Sequence, residues 1–183
     1  TSLSDTSFVR IEVEDVNEIH KADSVTFAVL ENSLTNTVLG NLNVNDEDTN
    51  YFTFNIISEI PTLNALRIEA NGDLTINDSV QLNYELTDSI LLIVEIQDTT
   101  ANPLIITEEV RVSILDVNEK PTLSLDTFNF NLDENPVFAQ NIGALFSNDE
   151  DDNQTIVYQF VNETGIEGNY SLDSITGELS VEV

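Results

Sequence analysis

The sequence predicts an all-β protein, built as tandem antiparallel Greek-key β-sandwiches placed end to end. Three observations lead there. Apolar residues recur in short runs of strand length with a period of two. Asn, Asp, Gly and Ser cluster between those runs. The whole pattern then returns after roughly a hundred residues.

Taken in order, "SVTFAVL" alternates around Val25, Phe27 and Val29. "TVLGNLNV", "YFTFNII", "LRIEA", "DLTI", "ILLIVEIQ" and "TEEVRVSIL" follow, each short and rich in β-branched or aromatic residues. In the last of these Val110, Val112 and Ile114 take one face, and Arg111 and Ser113 the other. No helix-period segment is longer than about two turns. About seven such strands per repeat suit a sandwich. Phe27, Phe52, Phe54 and Phe128 read as core residues rather than as a sugar-stacking platform.

The chain has 183 residues, with 34 Asp and Glu against 5 Lys and Arg, for a net charge of −29. That excludes nucleic acid as a partner, because a phosphate backbone needs Lys and Arg to neutralise it. It also disfavours anionic membrane surfaces. An acidic disordered tail is excluded by the 40% hydrophobic content, which is enough to bury a core. There is no Cys, so there is no disulfide framework. No apolar run reaches membrane-spanning length, and residues 1–20 do not read as a signal peptide.

The repeat can be followed motif by motif. "VRIEVEDVNE" (9–18) aligns with "VRVSILDVNE" (110–119) without a gap. "TFAVLEN" (26–32) answers "TFNFNLDEN" (127–135), "LGNLNVNDED" (39–48) answers "IGALFSNDED" (142–151), and "GDLTI" (72–76) answers "GELSV" (177–181). These matches divide the chain into a last strand of a preceding repeat (1–14), a linker (15–18), a complete repeat (19–115), a second linker (116–119) and an incomplete second repeat (120–183). The second repeat lacks its last two strands, which suggests an excerpt of a longer array. The alternative is a strand supplied by another chain to complete the open sheet.

The carboxylates collect between strands. Two of them about 4 Å apart repel by about 1 kcal/mol in water and about 4 kcal/mol at an intermediate dielectric. A divalent cation reverses that sign. Oxygen-only ligands at flexible spacing favour Ca²⁺, whereas Zn²⁺ wants His or Cys, and this chain has one His. "DEDTN" (46–50) and "DEDDN" (149–153) match the start of an EF-hand loop. The rest of that loop fails: Tyr51 or Gln154 stands where Gly is required, and Ile57 or Phe160 where Glu is required. Further ligands must therefore come from elsewhere in the fold. One copy of "DVNE" alone reads equally well as an acidic turn between domains.

Together these motifs resemble tandem cadherin repeats, in the divergent form found in large bacterial surface adhesins. "LEN" and "DEN" look like the family's first-strand Glu motif, and "LNYE" (82–85) like its L-D-x-E. "NDED" looks like its D-x-D, "VEIQD" (94–98) like its sixth-strand Asp, and "DVNE" like its D-x-N-D-N linker. The resemblance implies Ca²⁺ between repeats. One joint would use Glu31 and Glu85, then Asp116, Asn118, Glu119 and the carbonyl of Val117, then Asp149 and Asp151. The joint before it would use Asp15, Asn17, Glu18, Asp46, Asp48 and Asp98. Glu134 would serve a joint beyond Val183. Asn83, Glu18, Glu119, Ile19 and Lys120 depart from the family pattern, which implies fewer or weaker ions per joint. His20 replaces the linker Pro and reads as an exposed linker residue.

The expected function is a calcium-rigidified adhesive or spacer segment at the cell surface, outside the cell and without catalysis. Its partners would be Ca²⁺, neighbouring repeats of the same chain, and a protein or glycan adhesion partner, with no membrane insertion in this segment. The alternatives are a carbohydrate-binding module, for which only Tyr51, Tyr84, Tyr158 and Tyr170 could form a platform, and an accessory spacer of a secreted enzyme. No nucleophile with a plausible base, phosphate loop or catalytic metal set is present. Sequons occur at Asn77, Asn153, Asn162 and Asn169, close to expectation for a chain this rich in Asn, Ser and Thr.

Overall fold

Residues Ser89–Asp98 show how this sequence builds a core. Ile90, Leu92, Val94, Ile96 and Asp98 all turn inward and are buried, while the residues between them are exposed or half-buried. The computed structural model describes residues 2–23, 25–152, 154–161 and 169–182. The sequons at Asn153 and Asn162 lie outside the described residues. The chain divides into two compact units, Thr1–Leu115 and Asp116–Val183.

The first unit has strands β1 (Lys21–Ala22), β2 (Thr26–Leu30), β3 (Val38–Asn41), β4 (Val44–Asn45), β5 (Phe52–Ile60), β6 (Leu66–Ile68), β7 (Asp73–Ile76), β8 (Ser89–Asp98) and β9 (Ile105–Leu115). One sheet has the order β2-β9-β8-β5, a second the order β3-β7-β6, and β1 pairs with β4. Between the sheets lies a continuous core that includes Val29, Leu42, Leu66, Leu74, Ile76, Leu92, Val94, Val110, Val112 and Ile114. Each such side chain contributes about 1.5–3 kcal/mol relative to exposure. Phe27, Phe52 and Phe54 pack against this core, as their alternation predicts. The only helical element among the described residues is a short 3₁₀ turn, Ser79–Gln81, started by the Asp78 side chain accepting from the Val80 N–H.

One pairing differs from the antiparallel expectation. β2 runs parallel to β9, from Thr26 opposite Arg111 to Leu30 opposite Leu115. Alternation specifies which face of a strand is buried but carries no information on the direction of its neighbour.

Two close contacts recur in the two units. A Cβ on Gly40 would overlap the ring of Phe27, and a Cβ on Gly143 would overlap the ring of Phe130. Glycine is what lets the backbone cross an aromatic ring at that distance.

The second unit has β10 (Thr122–Leu123), β11 (Asn141–Ala144), β12 (Ser147–Asn148), β13 (Tyr170–Leu172) and β14 (Glu178–Val181). β11, β14 and β13 form one sheet in that order, and β10 pairs with β12. Segments 127–135 and 154–160 keep the expected alternation, with Phe128, Phe130, Leu132, Ile156, Tyr158 and Phe160 half-buried, but they form no strand. In the first unit the matching strands β2 and β5 are held by β9 and β8. No strand in those two roles occurs among the described residues of the second unit. A strand without a laddered neighbour leaves its backbone groups to other partners.

Two tests follow from this packing. Gly40→Ala should destabilise the first unit by about 1–3 kcal/mol in urea unfolding, and Phe27→Leu in the same chain should recover part of that loss. Asp73 accepts from the side-chain amides of Asn41 (2.8 Å) and Asn71 (2.7 Å), which hold its carboxyl below the usual range. A carboxyl lowered in the fold adds stability at neutral pH and loses that contribution as pH falls through its folded value. Asp73→Asn should therefore lower the Tm at pH 7, and the gap to the parent chain should close on acidification.

Candidate metal centre at the strand ends

Period two does more than bury the apolar residues. It also carries polar residues on the core face past the ends of the core. Asp98 continues the inward series of Val94 and Ile96. Asp46 continues Leu42 and Val44, and His20 stands two residues before Ala22. The β1–β4 register, Lys21 opposite Asn45 and Ala22 opposite Val44, sets His20 opposite Asp46 when extended by one residue. Phe52 lies opposite Asp98 in the β5–β8 register. Three strand ends thus bring His20, Asp46 and Asp98 together at one pole of the first unit. One ligand atom from each lies within 4.8 Å of the others.

The three central side chains of this pole are buried. The side chains of His20 and Asp98 are 0% exposed and that of Asp46 is 1% exposed. Burial alone would raise the Asp98 carboxyl. Hydrogen bonds from the Leu104 N–H (2.9 Å), the Thr100 N–H (3.0 Å) and hydroxyl (2.8 Å), and the Asn17 amide (3.1 Å) outweigh it and hold Asp98 well below the usual carboxylate range. Asn17 also donates to the Asn102 carbonyl at 2.8 Å, so both its amide hydrogens are engaged. Three side-chain atoms of this pole are buried with no hydrogen-bond partner: Asn17 Oδ1, Asp46 Oδ2 and His20 Nδ1.

Around this centre the linker is clamped by the D-x-D loop. The Glu18 N–H donates to Asp48 Oδ2 (2.9 Å), and the Asp48 N–H donates to Asp46 Oδ1 (2.7 Å). Partial desolvation, then Asp48, Glu47 and Asp15, push the Glu18 carboxyl up. Asp15 itself is exposed. The second unit repeats the clamp. The Glu119 N–H donates to Asp151 Oδ2 (2.8 Å), the Asp151 N–H to Asp149 Oδ1 (3.2 Å), and the Gln154 amide to Asn118 Oδ1 (2.6 Å). Asp116 lies exposed at the start of that linker, and Glu134 is exposed as well.

At the opposite pole of the first unit, Glu31 continues the inward series of Phe27 and Val29 and is 3% exposed. Its Oε2 accepts the Tyr84 N–H at 2.7 Å, and its own N–H donates to the Leu115 carbonyl at 3.0 Å. This ties the "LEN" and "LNYE" segments together, with Glu85 exposed beside Tyr84. The first unit therefore separates its predicted ligands into Asp15, Asn17, Glu18, Asp46, Asp48 and Asp98 at one pole and Glu31 and Glu85 at the other.

The reading of His20 as an exposed linker residue is corrected. His20 is 2% exposed, its ring centroid lies 5.3 Å from that of Phe52, and its Nε2 is 3.1 Å from the Ile96 carbonyl. The imidazole fills the slot between Phe52 and the strand ends, with Nε2 bonded to the Ile96 carbonyl and Nδ1 turned toward Asp46 and Asp98. The signal was present in the spacing from His20 to Ala22, which puts both on the core face.

No family model matches the chain. Protocadherin Fat 2 of Rattus norvegicus is 31% identical over 189 residues, which cover 97% of this chain and 4% of that protein. The chain thus spans a small fraction of the curated relative it matches. Among solved structures, mouse cadherin-23 EC22-24 superposes with a TM-score of 0.65 at 22% identity, over 87% of this chain and 51% of that one. The human desmocollin-1 ectodomain gives 0.53 at 25% identity, over 87% and 32%. The fold is that of cadherin ectodomain repeats. No helix among the described residues of this cadherin-like chain is long and apolar enough to cross a membrane.

In metal-free protein, Asp98→Ala should lower the urea midpoint of the first unit more than Asp98→Asn does. Alanine leaves the Leu104 and Thr100 donors without an acceptor, whereas asparagine keeps an oxygen there.

Proposed function

We propose that this chain is a calcium-stiffened stretch of tandem cadherin-like repeats in a large extracellular adhesion or spacer array of the bacterial surface-adhesin type. One observation supports the reading above the others. Asp46 Oδ2 and Asn17 Oδ1 are buried oxygen acceptors without hydrogen-bond partners, next to the buried carboxylate of Asp98. A cation is the partner that such oxygens fit, and carboxylate plus amide oxygens are Ca²⁺ ligands. The repeated D-x-D clamp and the two Gly–Phe contacts support a tandem repeat.

At the upstream joint, Asp15, Asn17, Glu18, Asp46, Asp48 and Asp98 would hold the ions. The joint between the repeats would draw on Glu31, Glu85, Asp116, Asn118, Glu119, Asp149 and Asp151. Neutralised carboxylates no longer repel across the linker, and shared ligands resist bending. The chain's role is then mechanical: it keeps successive repeats extended so that a distant adhesive domain reaches its partner.

Nothing in the geometry favours the sugar-binding alternative. Tyr51 lies just before β5 and Tyr84 lies by Glu31, at opposite poles of the first unit. The Tyr158 hydroxyl is engaged with Ser147 at 2.6 Å.

Extracellular modules bind Ca²⁺ with Kd of about 10⁻⁴–10⁻³ M. At ten times Kd each ion adds about 1.4 kcal/mol, enough to raise the Tm by several degrees. EDTA should reverse that gain and make the chain less rod-like in small-angle scattering. Asp116→Ala with Glu119→Ala should remove the scattering response and leave the first repeat folded. Melting and scattering curves that ignore Ca²⁺ would refute the proposal.

A further inference from the structure

The buried centre at the His20 pole of the first unit contains a donor that calcium does not need. The Ile96 carbonyl can only accept a hydrogen bond, so His20 Nε2, 3.1 Å away, must be the donor. In the neutral ring the lone pair then belongs to Nδ1. That nitrogen is buried without a hydrogen-bond partner. It faces Asp46 Oδ2 and Asp98 Oδ2, each at 3.9 Å. A lone pair directed at two carboxylate oxygens is held apart from them unless a cation sits among the three.

We propose that His20 Nδ1, Asp46 Oδ2 and Asp98 Oδ2 form a mixed nitrogen–oxygen site for a first-row transition divalent cation, with Zn²⁺ as the probe. Imidazole favours such ions over Ca²⁺, which takes six to eight oxygen ligands. Zinc holds nitrogen and carboxylate oxygen at about 2.0–2.2 Å, which puts tetrahedral neighbours about 3.4 Å apart, so the observed spacing closes by about half an ångström. The surroundings match those of a metal-bound histidine. The far ring nitrogen is fixed on a backbone carbonyl, one carboxylate is oriented by the Leu104, Thr100 and Asn17 donors, and Phe52 shields the ring. Asn17 Oδ1, a further buried acceptor of this pole, or a water would complete the shell.

The second unit makes the histidine informative. Its β10–β12 register, Thr122 opposite Asn148 and Leu123 opposite Ser147, sets Pro121 opposite Asp149 when extended by one residue. His20 holds that position in the first unit, so only the first unit offers nitrogen there. The assignment goes beyond the calcium reading and competes with it for Asp46 and Asp98, the nitrogen of His20 being what distinguishes the two.

His20 is the only histidine in the chain, so its ring can be observed without mutation. The test uses the full ¹⁵N-labelled chain, stripped with EDTA and dialysed free of Ca²⁺, so that no other divalent ion competes for Asp46 and Asp98. One equivalent of Zn²⁺ should move the Nδ1 resonance from the lone-pair to the metal-bound position and leave Nε2 protonated. His20→Gln should weaken Zn²⁺ binding in calorimetry by about a hundredfold or more. Asp46→Asn keeps the ring in place and should weaken it as well, which covers the case in which His20→Gln does not fold. An imidazole spectrum unchanged by Zn²⁺ would overturn the assignment and leave His20 as a core residue. The calcium reading would stand or fall separately, on the melting response to Ca²⁺.

Discussion

The concentration of carboxylates at strand ends is the constraint around which this molecule is arranged. A sandwich core accepts only one phase of each strand, and in this chain that phase does not stop where the apolar residues stop. It runs on into Asp98, Asp46 and His20 at one pole and into Glu31 at the other. These groups are held by the same backbone geometry that packs Ile96 and Val29. Their positions are therefore set by the core, although their chemistry belongs to the surface.

That arrangement conflicts with the burial of charge unless each acid is compensated. Asp98 shows one solution, four donors from its own loop and the linker. Glu31 uses the Tyr84 N–H. Asp46 shows an incomplete solution, since one oxygen receives the Asp48 N–H while the other is buried without a hydrogen bond. The differences matter more than the net charge of −29. Donors hold the Asp98 carboxylate in one orientation, whereas Asp46 keeps a buried oxygen that no donor reaches. Ordinary strand alternation thus gathers these polar groups at the ends of the cadherin-like fold.

The linkers add a second level. In both units the D-x-D loop turns its second carboxylate onto the N–H of the linker Glu, at Glu18 and at Glu119. The linker is fastened to the repeat that follows it by an uncharged backbone donor. Where the two units differ, at His20 and Pro121, the difference changes the donor chemistry of the pole and not its backbone course.

The sequence alone determined the main strand positions of the first unit, the inward faces such as Val110, Val112 and Ile114, and the grouping of acids into family-like motifs. All of these are local properties of a period-two pattern. Tertiary structure decided what depends on a neighbour. β2 pairs in parallel with β9, because direction is set by the partner strand. Segments 127–135 and 154–160 alternate yet form no ladder, because no strand in the pairing role stands beside them among the described residues. His20, read from its linker as an exposed residue, is buried against Phe52, because the groups that meet it come from β5, β8 and the D-x-D loop, which are distant from it in the chain.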